Sequence, residues 1–295
     1  MRKWTVIGLS LLTLLGSSTQ AAKVVLDNVP HYRWWNGCSP TAAGALIAYW
    51  DSQPGFENLY KPGDAQIWCG DATQGTRRMV ASQRHLEGDD SPPDSIASFM
   101  GTNSEGGTRW ADVTSGLEAF IEWDDTSAYD MKDGYTAITD TLDHLESSFE
   151  TVKAEIDAGR PALLSMLTND GAHSVVAYGY DDDLTFDLYD NGKVEFVTVP
   201  SFAVMDTWAP GSGGGSRWYS WEKNGDEWEQ VIVEEVFDDQ GHEWWPYFEA
   251  NHFYSGEDEW QVFSIHTIEI VPEPATIVLV GLGGLILARR HKKRD

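Results

Sequence analysis

Apolar positions between residues 23 and 270 change their period partway along the chain. Through the first half they recur every three or four residues, the spacing of a helix face. Ser39 to Trp50 is a run of small and apolar residues with Pro40 near its start, where a helix tolerates the missing N–H. Gln74 to Leu86, Asp94 to Met100, Val113 to Trp123 and Ile138 to Ile156 carry the same spacing. The last of these places Leu142, Leu145, Phe149, Val152 and Ile156 on one stripe. The pattern predicts a mainly helical region from Lys23 to about Ala158.

Beyond Gly159, a helix-stop residue, the pattern becomes strand-like. Pro161 to Leu167, Ser174 to Tyr180, Leu184 to Tyr189 and Val194 to Val199 are rich in aliphatic, β-branched and aromatic residues. Asp190-Asn191-Gly192 between two of them is a hairpin signal. After the flexible Gly211 to Ser216 come Trp218–Trp221, Gln230–Val236, Trp244–Glu249 and Trp260–Ile270, which read as further strands. Helices first and antiparallel strands later predict an α+β fold with no internal repeat.

The two ends read as targeting segments rather than as fold. Residues 1–21 have a basic start at Arg2 and Lys3, an apolar stretch from Val6 to Leu15, and small residues leading to Ala21 and Ala22, the three parts of an export signal. Residues 271–295 contain Pro272-Glu273-Pro274, a mostly apolar run from Ala275 to Ala288, and the basic cluster Arg289-Arg290-His291-Lys292-Lys293-Arg294. The run is short for a span, and the cluster would hold the tail on the cytoplasmic side. This segment resembles the PEP-CTERM sorting signal. The resemblance implies an exosortase as partner and a Gram-negative, exopolysaccharide-making host. It also implies transient anchoring by a C-terminal transmembrane helix, then release to the cell surface or extracellular matrix of a biofilm.

Charge narrows the choice of partner. The 295 residues carry a net charge of −27, and residues 22–270 alone hold 13 basic against 45 acidic residues, net −32. Phosphate recognition needs a cationic face, so nucleic acid is excluded as a partner. A neutral or basic peptide suits such a surface better than an acidic one. With 41% hydrophobic residues the chain has too much apolar content to be disordered.

Three residues assemble a candidate chemistry. Cys38, in Asn36-Gly37-Cys38-Ser39-Pro40, opens the first helix, where the dipole and free backbone N–H groups favour the thiolate. His173 opens the strand from Gly171 to Tyr180, 135 residues downstream of Cys38, within the Cys-to-His spacing of papain-type enzymes. Asp206 follows at the end of a strand-like run and could fix the imidazole tautomer; Asp190 and Asn191 are alternatives already explained by their turn.

The region around Gly37-Cys38-Ser39-Pro40-Thr41-Ala42-Ala43, the stretch Val152 to Asp182 and Asp206-Thr207-Trp208 resemble the three motifs of C39-type, bacteriocin-processing, papain-like cysteine peptidases. The likeness is greatest to the exported C39-like domain proteins that carry PEP-CTERM tails. It implies a papain-like domain at 22–208 and a peptide or protein substrate, with Cys38 as nucleophile, His173 as base and acid, and Asp206 as the orienting residue. No cofactor is implied. In that family a glutamine about six residues before the cysteine donates to the oxyanion; here the position is Tyr32, so Tyr32 or Asn36 would have to substitute. Ser39 also stands where the family commonly has glycine. Residues 209–270 lie outside the resemblance and read as a β-rich, Trp-rich extension of the same domain.

Three further features complete the reading. Cys69 could bridge Cys38 in an exported protein, which would silence the thiol. Asp181-Asp182-Asp183 with Asp187 does not match a calcium loop, and His31, His242 and His252 lack zinc spacing, so no metal is expected. Fourteen tryptophans, among them Trp34, Trp35, Trp218, Trp221, Trp228, Trp244, Trp245 and Trp260, offer stacking faces. They support an alternative in which a catalytically inactive domain binds peptide or polysaccharide in the matrix.

Overall fold

The computed structural model describes residues 23–32, 34–56, 74–123, 135–143, 149–167, 171–190, 193–207, 217–224, 227–234, 236–237, 243–248, 252–255 and 258–272. The export signal, Cys69, Trp208, the Gly211–Ser216 loop, Glu273, Pro274 and the expected C-terminal helix lie outside them, as do the side chains of Trp218, Trp221, Trp228, Trp245 and Trp260. Among the described residues, six helices and eleven strands make a mixed α+β fold with an antiparallel sheet.

The helices are α1 (Cys38–Asp51), α2 (Gln74–Val80), α3 (Gln83–Leu86), α4 (Ile96–Phe99), α5 (Trp110–Ile121) and α6 (Phe149–Asp157). Helix α1 is buried on every side from Ser39 to Tyr49, which its small residues permit. At Gly44 an added Cβ would stand 2.7 Å from Val80 Cγ2, so α2 approaches α1 more closely than any side chain would allow. The run expected as one helix from Gln74 to Leu86 breaks at Ser82, whose hydroxyl accepts from the His85 N–H and caps α3.

The strands are β1 (Lys23–Val25), β2 (Tyr135–Asp143), β3 (Ala162–Leu167), β4 (Ala172–Asp190), β5 (Lys193–Met205), β6 (Arg217–Asn224), β7 (Glu227–Glu234), β8 (Val236–Phe237), β9 (Glu243–Phe248), β10 (His252–Ser255) and β11 (Asp258–Pro272). Asp190 pairs with Lys193, leaving Asn191-Gly192 as the link between β4 and β5. Pairing runs β3 to β4 to β5 to β9 to β10 to β11 and back to β3, a closed antiparallel ring that leaves those edges covered. Strand β2 adds to the outer edge of β11 from Ser264 to Pro272.

One expectation is corrected here. Ile138 to Ile156 is not a single helix: its first part is strand β2, and α6 begins only at Phe149. The segment Tyr135-Thr136-Ala137-Ile138-Thr139 alternates, with Tyr135 and Ala137 buried and Ile138 exposed, a period of two. Only Phe149, Val152 and Ile156 of the stripe belong to the helix face, and they are buried.

Apolar residues pack into two clusters. One joins α1, α4 and α5 to Leu163, Val176, Ala203 and Ile268; the other joins α6 to Leu164, Val175, Val204 and Ile265. Successive residues of β3 and β4 thus enter different clusters, which is why these strands read as continuous apolar runs rather than alternating ones. The sheet also answers the acidic run: Lys153 of α6 contacts both carboxylate oxygens of Asp182 at 2.6 Å. Among the described residues, no group of three or more His, Cys, Asp or Glu is placed to hold a metal ion.

Candidate active site

Gly37 precedes α1 with φ 128°, a conformation that favours glycine, and Asn36 before it is also left-handed at φ 51°. An added Cβ on Gly37 would meet the Gly106 carbonyl oxygen at 2.8 Å. The turn therefore needs glycine for both its dihedral and its space. The Thr41 hydroxyl donates to the Gly37 carbonyl at 2.6 Å and accepts from the Trp35 N–H at 3.0 Å, which fixes the turn from inside the helix. The helix start has no side-chain cap, so its N-terminal amides stay directed at Cys38 and what lies before it.

His173 and Asp206 come together from neighbouring strands. Val176 pairs with Met205, and His173 lies three residues before Val176 while Asp206 follows Met205 directly. His173 Nε2 donates to Asp206 Oδ1 at 2.8 Å, with the imidazole side chain 1% exposed and the carboxylate 14%. Because Nε2 is committed to the carboxylate, Nδ1 is the nitrogen left for Cys38, with which the imidazole interacts. The Trp34 N–H donates to the Thr207 carbonyl at 2.6 Å, tying the cysteine turn to the segment that carries Asp206.

Burial pushes the Cys38 thiol up, but the hydrogen bond and charge of His173, with hydrogen bonds from the Ser174 backbone and side chain, outweigh it, and its pKa lies below the ordinary value. Burial pulls His173 down, yet hydrogen bonds to Asp206 and Cys38, and the charges of both, hold it above its ordinary value. Opposite shifts of this kind favour a thiolate beside an imidazolium. Among the described residues Cys38 forms no disulfide.

Two hydroxyls that sequence reasoning passed over belong to this site. Ser39 Oγ and Ser174 Oγ are 2.8 Å apart and buried. A thiolate only accepts, so the Ser174 proton points to sulfur and Ser39 donates to Ser174. The signal was local in each case: Ser39 adjoins the cysteine and Ser174 adjoins the histidine, but nothing in the sequence joins the two.

Cys38, Ser39, His173 and Ser174 line a cleft of about 390 Å³. Ser165 lines it too, and its hydroxyl sits 2.9 Å from Nε2 of His266, whose Nδ1 is 2.7 Å from the Thr114 hydroxyl. Burial pushes His266 down to about 4, so this second imidazole stays neutral and works as a hydrogen-bonding strut across α5, β3 and β11. Of the two expected oxyanion donors, Tyr32 is packed in the core cluster with α1, and neither Tyr32 nor Asn36 is among the cleft-lining residues. Asn36 Nδ2, two residues before Cys38, is buried with no hydrogen-bond partner among the described residues.

A family model described as the Peptidase_C39 like family matches residues 26–233, and one for the PEP-CTERM protein-sorting motif matches 271–294. No curated protein matches the chain. The sorting motif implies export to the cell envelope of a Gram-negative bacterium and processing by an exosortase. No helix among the described residues is long and apolar enough to cross a membrane. The match over 26–233 covers more than half the chain, and the chain therefore belongs to the Peptidase_C39-like family and carries a C-terminal PEP-CTERM sorting motif.

Proposed function

We propose that the domain is a papain-like cysteine peptidase in which Cys38 is the nucleophile, His173 the general base and acid, and Asp206 the residue that orients the imidazole. One observation carries this reading: the part-buried His173 Nε2–Asp206 Oδ1 hydrogen bond of 2.8 Å, on a ring that also interacts with Cys38 at the mouth of α1. In this reading 209–270 completes the same domain, because β9, β10 and β11 close the strand ring around β3, β4 and β5. Exosortase cleavage near Pro272-Glu273-Pro274 then leaves the domain at the cell surface or in the matrix.

The reaction is acyl transfer to sulfur and then to water. The Cys38 thiolate attacks the carbonyl carbon of a peptide or isopeptide bond, and the carbonyl electron pair moves to oxygen. The Cys38 backbone N–H receives that oxyanion, with Asn36 and Tyr32 as the two expected side-chain donors. As the C–N bond breaks, the imidazolium of His173 gives its proton to the leaving amine. Neutral His173 then deprotonates water, which attacks the thioester and releases the carboxylic acid and the thiolate.

The pH dependence tests this directly. Hydrolysis is expected to rise on the acid side as Cys38 ionises, below the ordinary thiol pKa. It should fall on the alkaline side as His173 loses its proton, above the ordinary histidine pKa. Alkylation of Cys38 by iodoacetamide needs only the thiolate, so it should show the acid limb without the alkaline fall. Alkylation that begins only near the ordinary thiol pKa would sink the peptidase reading, as would an intact Cys38–Cys69 disulfide in the exported protein.

Ser174→Ala is expected to shift that acid limb to higher pH and to slow alkylation about tenfold at mildly acidic pH, the weight of one hydrogen bond to a charged acceptor. Ser39→Ala should shift it in the same direction by less, since it acts through Ser174. An unchanged limb in Ser174→Ala would assign the hydroxyl to packing alone.

A further inference from the structure

Beside the reactive groups, the cleft wall is unusually aromatic. Trp34, Trp110 and Phe263 all line it. Trp34 and Trp110 are 44% and 49% exposed, and the other large hydrophobic residues exposed among those described, Leu86 and Ile138, lie outside the cleft. Exposed rings gathered at one concavity mark a contact surface rather than leftover core.

The surface is built. Phe263 falls at the register shift between Val262 and Ser264 in β11, the extra residue of a bulge, and bulges re-aim a side chain. Its ring lies 4.4 Å from that of Trp110 at the start of α5. Trp34 is set by the Thr207 carbonyl at its backbone N–H and by Gly106, where an added Cβ would stand 2.8 Å from the indole.

Among the described residues, Glu105 is the acidic residue that lines the cleft. Its loop is rigid: Asn103 Oδ1 accepts from the Glu105 N–H at 3.0 Å and the Gly107 N–H at 2.8 Å, and the Thr102 and Thr108 hydroxyls are 2.8 Å apart. Among the described residues no lysine or arginine lines the cleft, so an acidic substrate meets the Glu105 carboxylate there.

Resting on the peptidase reading above, we infer that this cleft selects peptides that carry an aromatic or large apolar side chain beside the scissile carbonyl and a basic residue next to it. The aromatic side chain stacks on the Trp110–Phe263 pair and Trp34, and the basic residue faces Glu105. Peptide is favoured over saccharide because the rings share the cleft with a cysteine prepared to attack a carbonyl.

Binding to the full exported chain bearing Cys38→Ala tests selectivity without hydrolysis. Three blocked peptides of equal length, containing Phe-Arg, Gly-Arg or Phe-Glu at the centre, are titrated by calorimetry. Phe-Arg is expected to bind about tenfold more tightly than either of the others. Adding Glu105→Gln should erase the difference between Arg and Glu, and adding Trp110→Ala should erase that between Phe and Gly. Ile138→Ser, outside the cleft, should change neither ratio. A flat panel, a preference for Phe-Glu, or displacement of the peptide by neutral oligosaccharide overturns the inference. If selectivity holds while the wild-type chain cleaves none of the peptides, the peptidase reading fails and the binding preference stands.

Discussion

Cys38→Ala is expected to abolish peptide hydrolysis, with a loss on the order of 10⁶ in kcat, the scale on which removal of a peptidase nucleophile falls. The size of the effect follows from the chemistry. Without sulfur no acyl-enzyme forms, and His173 alone has no positioned group to activate. Cys38→Ser should be nearly as inactive, because an alcohol lies far above the thiol in pKa and the imidazolium at this site is tuned to hold a thiolate. The fold should survive both changes. Cys38 is only half-buried, and alanine suits the first turn of a helix. Thermal unfolding of the variants should therefore stay within a few degrees of the wild type while hydrolysis of a Phe-Arg peptide disappears. Hydrolysis persisting in Cys38→Ala would place the reaction elsewhere.

How far the sequence carried this picture depended on how local each feature was. The α1 helix was legible because small residues and Pro40 sit together, and Cys38 because the helix begins at it. The pairing of His173 with Asp206 followed from chain order and strand-like runs, which place the two at adjacent strand ends. The closed ring was not legible. It depends on β11 pairing with β3, about a hundred residues earlier, and no periodicity encodes a partner at that distance. The bulge at Phe263 was hidden for the same reason, since it exists only relative to the strand beside it. The Ile138–Ile156 misreading has a different cause. Leu142 and Leu145 kept the helical stripe unbroken on paper, while the threonines and alternating burial of Tyr135 and Ala137 decided for strand once β11 offered an edge. The oxyanion donor lay in between. The missing glutamine was visible at Tyr32, but that Tyr32 packs in the core with α1 requires the folded turn.

Asp206→Ala should lower kcat by about 10⁴, the scale seen when an orienting acid is lost, and Asp206→Asn should lower it less, because papain-like sites also work as Cys-His-Asn. The difference lies in what each variant leaves at Nε2. Alanine removes the acceptor at 2.8 Å and leaves a buried imidazole free to rotate or to adopt the tautomer with its proton on Nδ1, which cannot take the Cys38 proton. Asparagine keeps an oxygen for the Nε2 proton and loses only the charge. Asp206 raises His173 through both its hydrogen bond and its charge, so removing it lowers the histidine pKa and brings the alkaline limb of the rate profile to lower pH. That movement should be larger for alanine than for asparagine. The Cys38 pKa should rise in turn, because the imidazolium that stabilises the thiolate is less populated, so the two limbs close on one another and the profile narrows. A purely structural role for Asp206 predicts lower stability with both limbs in place. Full pH–rate profiles of the two variants, read beside their thermal midpoints, separate these outcomes, and an Asp206→Ala profile as broad as the wild type would remove Asp206 from the mechanism.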